Sequence, residues 1–265
     1  MKGKLIDVVK IVFSDFDNTM LHYYSNKNYF DDYQLEILQK LREEGIRFGI
    51  VTGRCVSFFT RFPKLLEVID FILASNGACI YDVREKKFIY EKLVDNHSLN
   101  NIIGYAKSNC SKFIINSLDK RYQYGEWSDI QCETYQEGIS YICEQVVLMV
   151  DKLKLEDCHH YLASLGNVVV NNVVCWDNYY SIDINDIGVS KGNSIVKLCQ
   201  ILEIDLVDTI GFGDGENDLS MFQVVGKSVA VGNANNKIRQ ISDDVSLKCN
   251  DNGVFRYLED NILNR

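Results

Sequence analysis

Proline is almost missing from this sequence: Pro63 is the only one among 265 residues, so the turns fall to Gly, Asn and Asp. No apolar stretch approaches the roughly 20 residues that a membrane-spanning helix needs. Positive charge is also short. Lys and Arg number 28 against 37 Asp and Glu, a formal net charge of −9. That balance argues against broad contact with nucleic acid or an anionic membrane, but not against a locally positive pocket for a small anion. Met1–Val12 has two early lysines but no long apolar core and no small-residue cleavage site. It reads as a first strand rather than a targeting segment, and the chain is expected to stay in the cytoplasm. The nine cysteines are scattered, odd in number and without a C-x-x-C pair. Reduced, buried thiols fit that pattern better than a disulfide framework.

What remains is ordinary globular material, 46% hydrophobic and 25% charged, which excludes a disordered chain. Val8–Ser14 is an apolar, β-branched run that stops at Asp15-Phe16-Asp17-Asn18-Thr19, a buried strand feeding a polar loop. Tyr33–Glu44 carries Leu35, Leu38 and Leu41 at helical spacing, with Gly45 after it. Ile46–Val51 is a second strand ending in Thr52-Gly53-Arg54. A helix through Phe58–Phe62 and a strand at Phe71–Ala74, ending in Ser75-Asn76-Gly77, follow. This alternation predicts a parallel sheet covered by helices.

The middle of the chain breaks the rhythm. Strands are expected at Phe88–Tyr90, Phe113–Asn116, Val146–Val150, Asn167–Val174 and Tyr180–Asn185, and helices at Ser98–Ser108 and Leu155–Leu165. Few of these strands end in a chemically loaded cluster. After Gly188 the first pattern resumes with a helix at Lys191–Leu202, a strand at Asp208–Phe212 and the loop Gly213–Asp218. The expected organisation is an α/β core, residues 1–81 and 187–265, interrupted by an inserted α/β domain at 82–186.

In open parallel sheets, ligands bind at the carboxyl ends of the strands. Here those ends carry Asp15 and Asp17, Thr52 and Gly53, Asn76, and Asp214, Asn217 and Asp218, with Lys191 opening a helix on the same side. Asp15 and Asp17 alternate along an extended segment and can face one crevice. A carboxylate nucleophile splits phosphate-ester hydrolysis into two steps through an acyl phosphate, and a neighbouring acid protonates the leaving oxygen. Asp15 suits the first role and Asp17 the second. Asp15, the backbone carbonyl of Asp17 and Asp214 offer oxygens to Mg²⁺, with Asp218 in support. The Thr52 hydroxyl and the N–H groups of Thr52 and Gly53 offer a phosphate cradle. Lys191 supplies a compact positive charge and Asn217 a hydrogen bond. Arg54 reads equally as a substrate contact or a structural ion pair. A single D-x-D-x-T run could be no more than a loop-capping pair; a second acidic strand end, Asp214 to Asp218, makes that account weaker. Cys158-His159-His160 has no further ligand at suitable spacing and reads as structural or surface material.

These residues resemble the haloacid dehalogenase-like superfamily, in particular its Cof-type sugar-phosphatase branch with an α/β cap. The similarity runs from Val12 to about Leu258, through Asp15–Thr19, Thr52-Gly53-Arg54, Gly188–Gly192 and Gly213–Asp218 in order, with Ser75–Ala78, Val231–Ala234 and Asp251–Val254 in addition. The resemblance implies a Rossmann-like parallel-sheet core with an inserted cap. It implies Asp15 as nucleophile, Asp17 as acid/base, and Mg²⁺ on Asp15, Asp17 and Asp214 with Asp218 supporting. It implies phosphate held by the Phe16 backbone, Thr52, Gly53, Lys191 and Asn217. Asn18 stands where the family usually has glycine; Asn accepts left-handed backbone better than most residues, so the loop is expected to survive. The expected partner is a small phosphorylated metabolite: a sugar or sugar-alcohol phosphate, or a phosphorylated cofactor. A phosphotransferase or mutase passing phosphate to a second sugar hydroxyl is the alternative enzyme, and a non-catalytic phosphometabolite sensor the alternative outside catalysis. Dehalogenation is disfavoured, since it needs neither Asp17 nor a metal.

Overall fold

The computed structural model describes residues 9–21, 30–118, 120–126 and 132–264. The first strand is β1, Ile11–Ser14, all four residues buried; Met1–Val8 of the expected strand lies outside the described residues. Asp31 opens α1 (Asp32–Glu43) with a capping box. Its carboxylate accepts from the Gln34 N–H, and the Gln34 side chain accepts from the Asp31 N–H. Ile37, Leu38 and Leu41 then form the buried stripe of the helix. Strand β2 (Arg47–Val51) follows, then α2 (Pro63–Leu66) and β3 (Phe71–Ala74). The helix expected through Phe58–Phe62 is a 3₁₀ segment, Val56–Arg61.

After β3 the chain turns back along itself as β4 (Cys79–Asp82) and β5 (Lys87–Glu91). Both strands run antiparallel on the edge of the first sheet. This departs from the expected boundary at residue 82, because Phe88–Tyr90 belongs to the core sheet and not to the insertion. The reason is packing: the Tyr81 and Phe88 rings meet edge-on with centroids 5.1 Å apart, and Phe88, Ile89 and Tyr90 pack on the main hydrophobic cluster.

The second sheet follows. It is built from α3 (Asn96–Asn109), β6 (Lys112–Ser117), β7 (Lys120–Tyr124), β8 (Glu133–Thr134), β9 (Gln145–Asp151), α4 (Leu155–Leu165), β10 (Val168–Cys175) and β11 (Tyr179–Asp186). Its strand order is β10-β11-β9-β6-β7-β8. Alternation along the strands gives it two different faces. Phe113, Ile115, Val146, Leu148, Val150, Ile182 and Ile184 build a separate apolar cluster with Leu99 and Ile102 of α3 and Leu162 of α4. Asp183 and Asn185, out of phase with these, meet the first sheet instead. Asn185 Nδ2 donates to the carbonyl oxygens of Ser75 (3.0 Å) and Glu144 (2.8 Å). In α4, Cys158 is buried while His159 and His160 are exposed.

The chain returns through α5 (Lys191–Leu202), β12 (Thr209–Gly213), α6 (Leu219–Phe222), β13 (Lys227–Ala230), α7 (Asn236–Ile241), β14 (Asp244–Val245) and α8 (Gly253–Leu258). The completed first sheet has the order β14-β13-β12-β1-β2-β3-β4-β5, parallel from β14 to β3. The α/β class and parallel core are as expected, with the antiparallel hairpin as an addition. All nine cysteines are free, but Cys175 is exposed and Cys110 and Cys132 only half-buried, so the expectation of buried thiols holds for the other six. No helix among the described residues is long and apolar enough to cross a membrane.

Candidate active site

The two central strands, β1 and β12, pair in parallel and end side by side, with Ser14 opposite Phe212. The register therefore delivers Asp15 and Asp214 to the same edge of the sheet. One carboxylate oxygen each from Asp15, Asp214 and Asp218 lies within 4.8 Å of the other two. Lys191 sits among them, almost wholly buried, with Nζ 2.5 Å from Asp15 Oδ1 and 2.6 Å from Asp218 Oδ1. Its backbone is fixed as the first residue of α5, which Ser190 caps by accepting from the Asn193 N–H.

Asp218 is fully committed. Besides Lys191, its Oδ2 accepts from the N–H groups of Asp214 and Gly215, both at 2.9 Å. A side chain at Gly213 would place its Cβ 2.5 Å from the Asp218 carboxyl carbon, so only glycine lets the loop close on this residue. Asn217 lies on the same loop, with Oδ1 close to Gly215. Thr19, not among the expected site residues, donates to Asp214 Oδ1 at 2.9 Å and lies 3.4 Å from Asp15 Oδ2. The sequence carried a signal for it, a hydroxyl four residues beyond Asp15 on the same turn.

The charges do not balance locally. Burial raises the Asp15 carboxyl well above the usual range. Lys191 pulls it back, and Asp218 and Asp214 push it up further. Burial and then Asp218 push Asp214 up to about 6, against the Thr19 hydrogen bond and Lys191. For Lys191, burial works to discharge the ammonium, but attraction to Asp15 and Asp218 outweighs it and the net displacement is upward. An all-oxygen donor set crowded with carboxylates fits a hard divalent cation, which would relieve the repulsion between Asp15 and Asp214.

Asp17 points elsewhere. Arg54 holds its carboxylate in a two-pronged ion pair, Nε to Oδ2 at 2.9 Å and a terminal nitrogen to Oδ1 at 3.0 Å. Between the two aspartates, the Phe16 ring is buried against Phe30, Phe58, Phe59 and Phe62. The Phe16 carbonyl accepts from the Met20 and Leu21 N–H groups and closes the turn. Asn18 has φ 59°, as its expected tolerance of left-handed backbone requires, and Asn233 Nδ2 donates to its carbonyl at 2.8 Å.

The cradle differs in one respect from expectation. The Thr52 N–H is used by the sheet, donating to Leu73 O at 2.9 Å, so it cannot also hold phosphate. The Thr52 hydroxyl accepts from the Arg54 N–H at 3.1 Å and keeps its own proton for a ligand. Asn76, also left-handed at φ 60°, donates through its backbone to Thr52 O and through Nδ2 to Asp183 Oδ2 at 3.2 Å. Asp183 was not expected at the site, because it sits on β11 and nothing local in the sequence marks it.

The family profile of the haloacid dehalogenase-like hydrolases matches residues 12–258. The chain belongs to this family. Among curated relatives of this haloacid dehalogenase-like hydrolase, a phosphoglycolate phosphatase of Methanobrevibacter smithii is 24% identical over 97% of this chain and 99% of its own. A 5-amino-6-(5-phospho-D-ribitylamino)uracil phosphatase of Bacillus subtilis is 26% identical over 95% and 97%. Among solved structures, a haloacid dehalogenase-like hydrolase from Bacteroides thetaiotaomicron aligns with TM-score 0.81 at 22% identity, covering 95% of this chain and 99% of that one. A subclass IIB sugar phosphatase of the superfamily aligns with TM-score 0.80 at 18% identity, covering 96% and 100%. These alignments run over nearly the whole chain and so over both of its sheets; by its family match and its relatives, the chain is a phosphatase of the haloacid dehalogenase type.

Proposed function

We propose that this hydrolase removes phosphate from a small phosphorylated metabolite with Mg²⁺, through an aspartyl-phosphate on Asp15. The observation that carries the reading is the Asp15 carboxylate at a buried strand end, held by Lys191 and facing Asp214. Asp15, Asp214 and the backbone carbonyl of Asp17 would hold the ion, which when bound supplies charge neutralisation between the nucleophile and the phosphate. Asp218 acts through Lys191 and through the loop amides it binds, rather than as a free ligand.

An oxygen of Asp15 attacks phosphorus, the ester P–O bond breaks, and the leaving oxygen takes a proton from Asp17. Water then attacks the acyl phosphate and returns a proton to Asp17, which releases inorganic phosphate and restores Asp15. Asp17 must come out of the grip of Arg54 to reach the leaving oxygen. The Thr52 hydroxyl, the Gly53 and Phe16 N–H groups, Lys191 and Asn217 hold the phosphate oxygens. The two curated relatives, named for phosphoglycolate and for a phosphoribitylamino-uracil, support a small soluble substrate. The segment after Glu91, up to residue 186, covers the crevice as a cap domain.

The test is a panel of phosphorylated metabolites with Mg²⁺ and no added acceptor, reading released phosphate, together with acid-quenched mass spectrometry of the protein. Phosphate release with one phosphoryl group on the peptide containing Asp15, absent in Asp15→Asn, is the expected result. Turnover by Asp15→Asn within tenfold of wild type would remove Asp15 from its role.

A further inference from the structure

Asp183 reaches the phosphate cradle from the second sheet. Its Oδ2 lies 3.2 Å from where a Cβ on Gly53 would be, and Asn76 Oδ1 lies 3.3 Å from the same point. Gly53 therefore does more than offer an N–H: its bare α-carbon leaves room for a carboxylate beside the bound phosphate. Asn76 is buried, and its Oδ1 has no hydrogen-bond partner among the described residues. Two acceptor oxygens thus converge on one spot next to the cradle, one charged and one with no donor. A buried acceptor without a donor is costly, and the group that fits there brings O–H or N–H. Asp183 keeps part of its surface open to solvent, and it stands opposite Asn172 and Val147 on the neighbouring strands. Arg54 is the cation near it, and that side chain is taken by Asp17.

We propose that Asp183 is a specificity-determining residue: with Asn76 it accepts hydrogen bonds from hydroxyl groups of the leaving group, and its charge rejects substrates with a second anion beside the phosphate. The proposal rests on the phosphatase reading above and adds the residue that chooses among phosphate esters. A hydroxyl two or three bonds from the ester oxygen meets both acceptors, whereas a carboxylate in that place meets a like charge. Burial pushes the Asp183 carboxyl up to about 6, against hydrogen bonds from Asn76 and Asn172 and the charge of Arg54. Above neutral pH it is ionised.

The experiment measures kcat/KM for glycerol 3-phosphate, ribitol 5-phosphate and phosphoglycolate with Mg²⁺ at about pH 8, well above the displaced carboxyl. It compares wild type, Asp183→Asn and Asp183→Ala in the full chain. Wild type is expected to prefer the polyol esters to phosphoglycolate by about tenfold or more, the scale of a like-charge penalty. Asp183→Asn keeps an acceptor but no charge, and should move the ratio toward phosphoglycolate by about tenfold. Asp183→Ala should move it in the same direction, by loss of the polyol esters. A misfolded fraction lowers every rate together and leaves the ratio alone, so the ratio reports specificity and not stability. Ratios within about twofold of wild type in both variants would overturn the proposal, being too small for a lost charge contact. Wild type that releases phosphate from none of these esters would overturn this proposal, while the phosphatase reading stands or falls separately on the wider metabolite panel and the phosphoryl group on Asp15.

Discussion

Arg54 holds both carboxylate oxygens of Asp17, and its guanidinium lies 4.7 Å above the Phe58 ring, which in turn meets Phe16 edge-on at 6.0 Å. The side chain proposed as general acid is thereby referenced to the aromatic cluster under its own loop. Replacing Arg54 by Ala should lower kcat by about a hundredfold, the scale of a misplaced reacting group. In an Asp17→Asn background the same replacement should cost about twofold, since contacting residues are not additive. Equal losses in both backgrounds would mean that Arg54 acts without Asp17.

Lys191 is the counter-charge of two buried carboxylates. Breaking a buried ion pair by removing one partner leaves uncompensated charge, at a cost of about 3–5 kcal/mol. Lys191→Met should therefore unfold at markedly lower urea concentration than wild type, and should also lose turnover. A change in unfolding free energy under about 1 kcal/mol, the level of an exposed pair, would contradict the buried ion-pair account.

Metal dependence follows from the repulsion between Asp15 and Asp214. Chelation should stop turnover and Mg²⁺ should restore it, whereas Ca²⁺, with larger and looser coordination, should support it poorly. Binding must also show without turnover: Mg²⁺ at about a hundredfold its Kd should add about 2.7 kcal/mol to stability. Asp214→Asn should lose most of that gain. Full turnover in metal-free buffer would exclude the acidic cluster as the ion's site.

Glu144 provides a pH test away from the chemistry. It is wholly inaccessible, its Oε1 accepts from the Ser75 hydroxyl at 2.8 Å, and its Oε2 has no partner among the described residues. Burial raises its carboxyl, against hydrogen bonds from Cys79 and Ser75. A carboxyl whose folded value exceeds its unfolded value is stabilising when protonated, and that contribution is lost as pH rises through the folded value. The stability of Glu144→Gln minus that of wild type should therefore rise with pH across this range. Melting curves from acid to mildly alkaline pH check the sign, and parallel curves would refute it.

The core was legible because its strands are short apolar runs that end abruptly in polar loops. The apolar run Phe71–Ala74 is the strand itself, and Asp15 and Asp214 meet as their strand-end positions require, with Lys191 at the head of α5 bonded to Asp15. Contacts between distant segments were not legible. Nothing near Arg54 in sequence says that its partner is Asp17, and nothing near Asp183 says that it reaches Gly53. The sequence does not tell a cradle N–H from a ladder N–H at Thr52, because the two differ only once the neighbouring strand is in place. The bond from Thr19 to Asp214 is likewise not legible, because it exists only once β12 lies beside β1.

The edge hairpin is legible only by half: Phe88–Tyr90 reads as a strand, though one of the insertion, while Cys79–Asp82 carries no strand signal, and their pairing bears on where the inserted segment starts. Both strands are short, and β5, the edge strand, is partly exposed along its whole length. Yet β5 covers β4, with Ile80 opposite Tyr90 and Tyr81 opposite Phe88. A chimera that exchanges residues 82–186 for a relative's cap cuts through this hairpin. It removes Phe88, Ile89 and Tyr90 from the main cluster and bares an edge strand to solvent or to another chain. A chimera that exchanges 92–186 leaves the sheet whole. The second should fold and change which metabolite is preferred, because Asp183 is exchanged with the segment, whereas Asp15, Lys191 and Asp214, which stay, face atoms that all phosphate monoesters share. The first should be less stable by about 2–5 kcal/mol, the cost of losing a large buried side chain, or should aggregate. Equal melting temperatures for the two chimeras would place β5 with the cap after all, and an unchanged metabolite ranking in the folded chimera would place selectivity in Arg54 and Asn76.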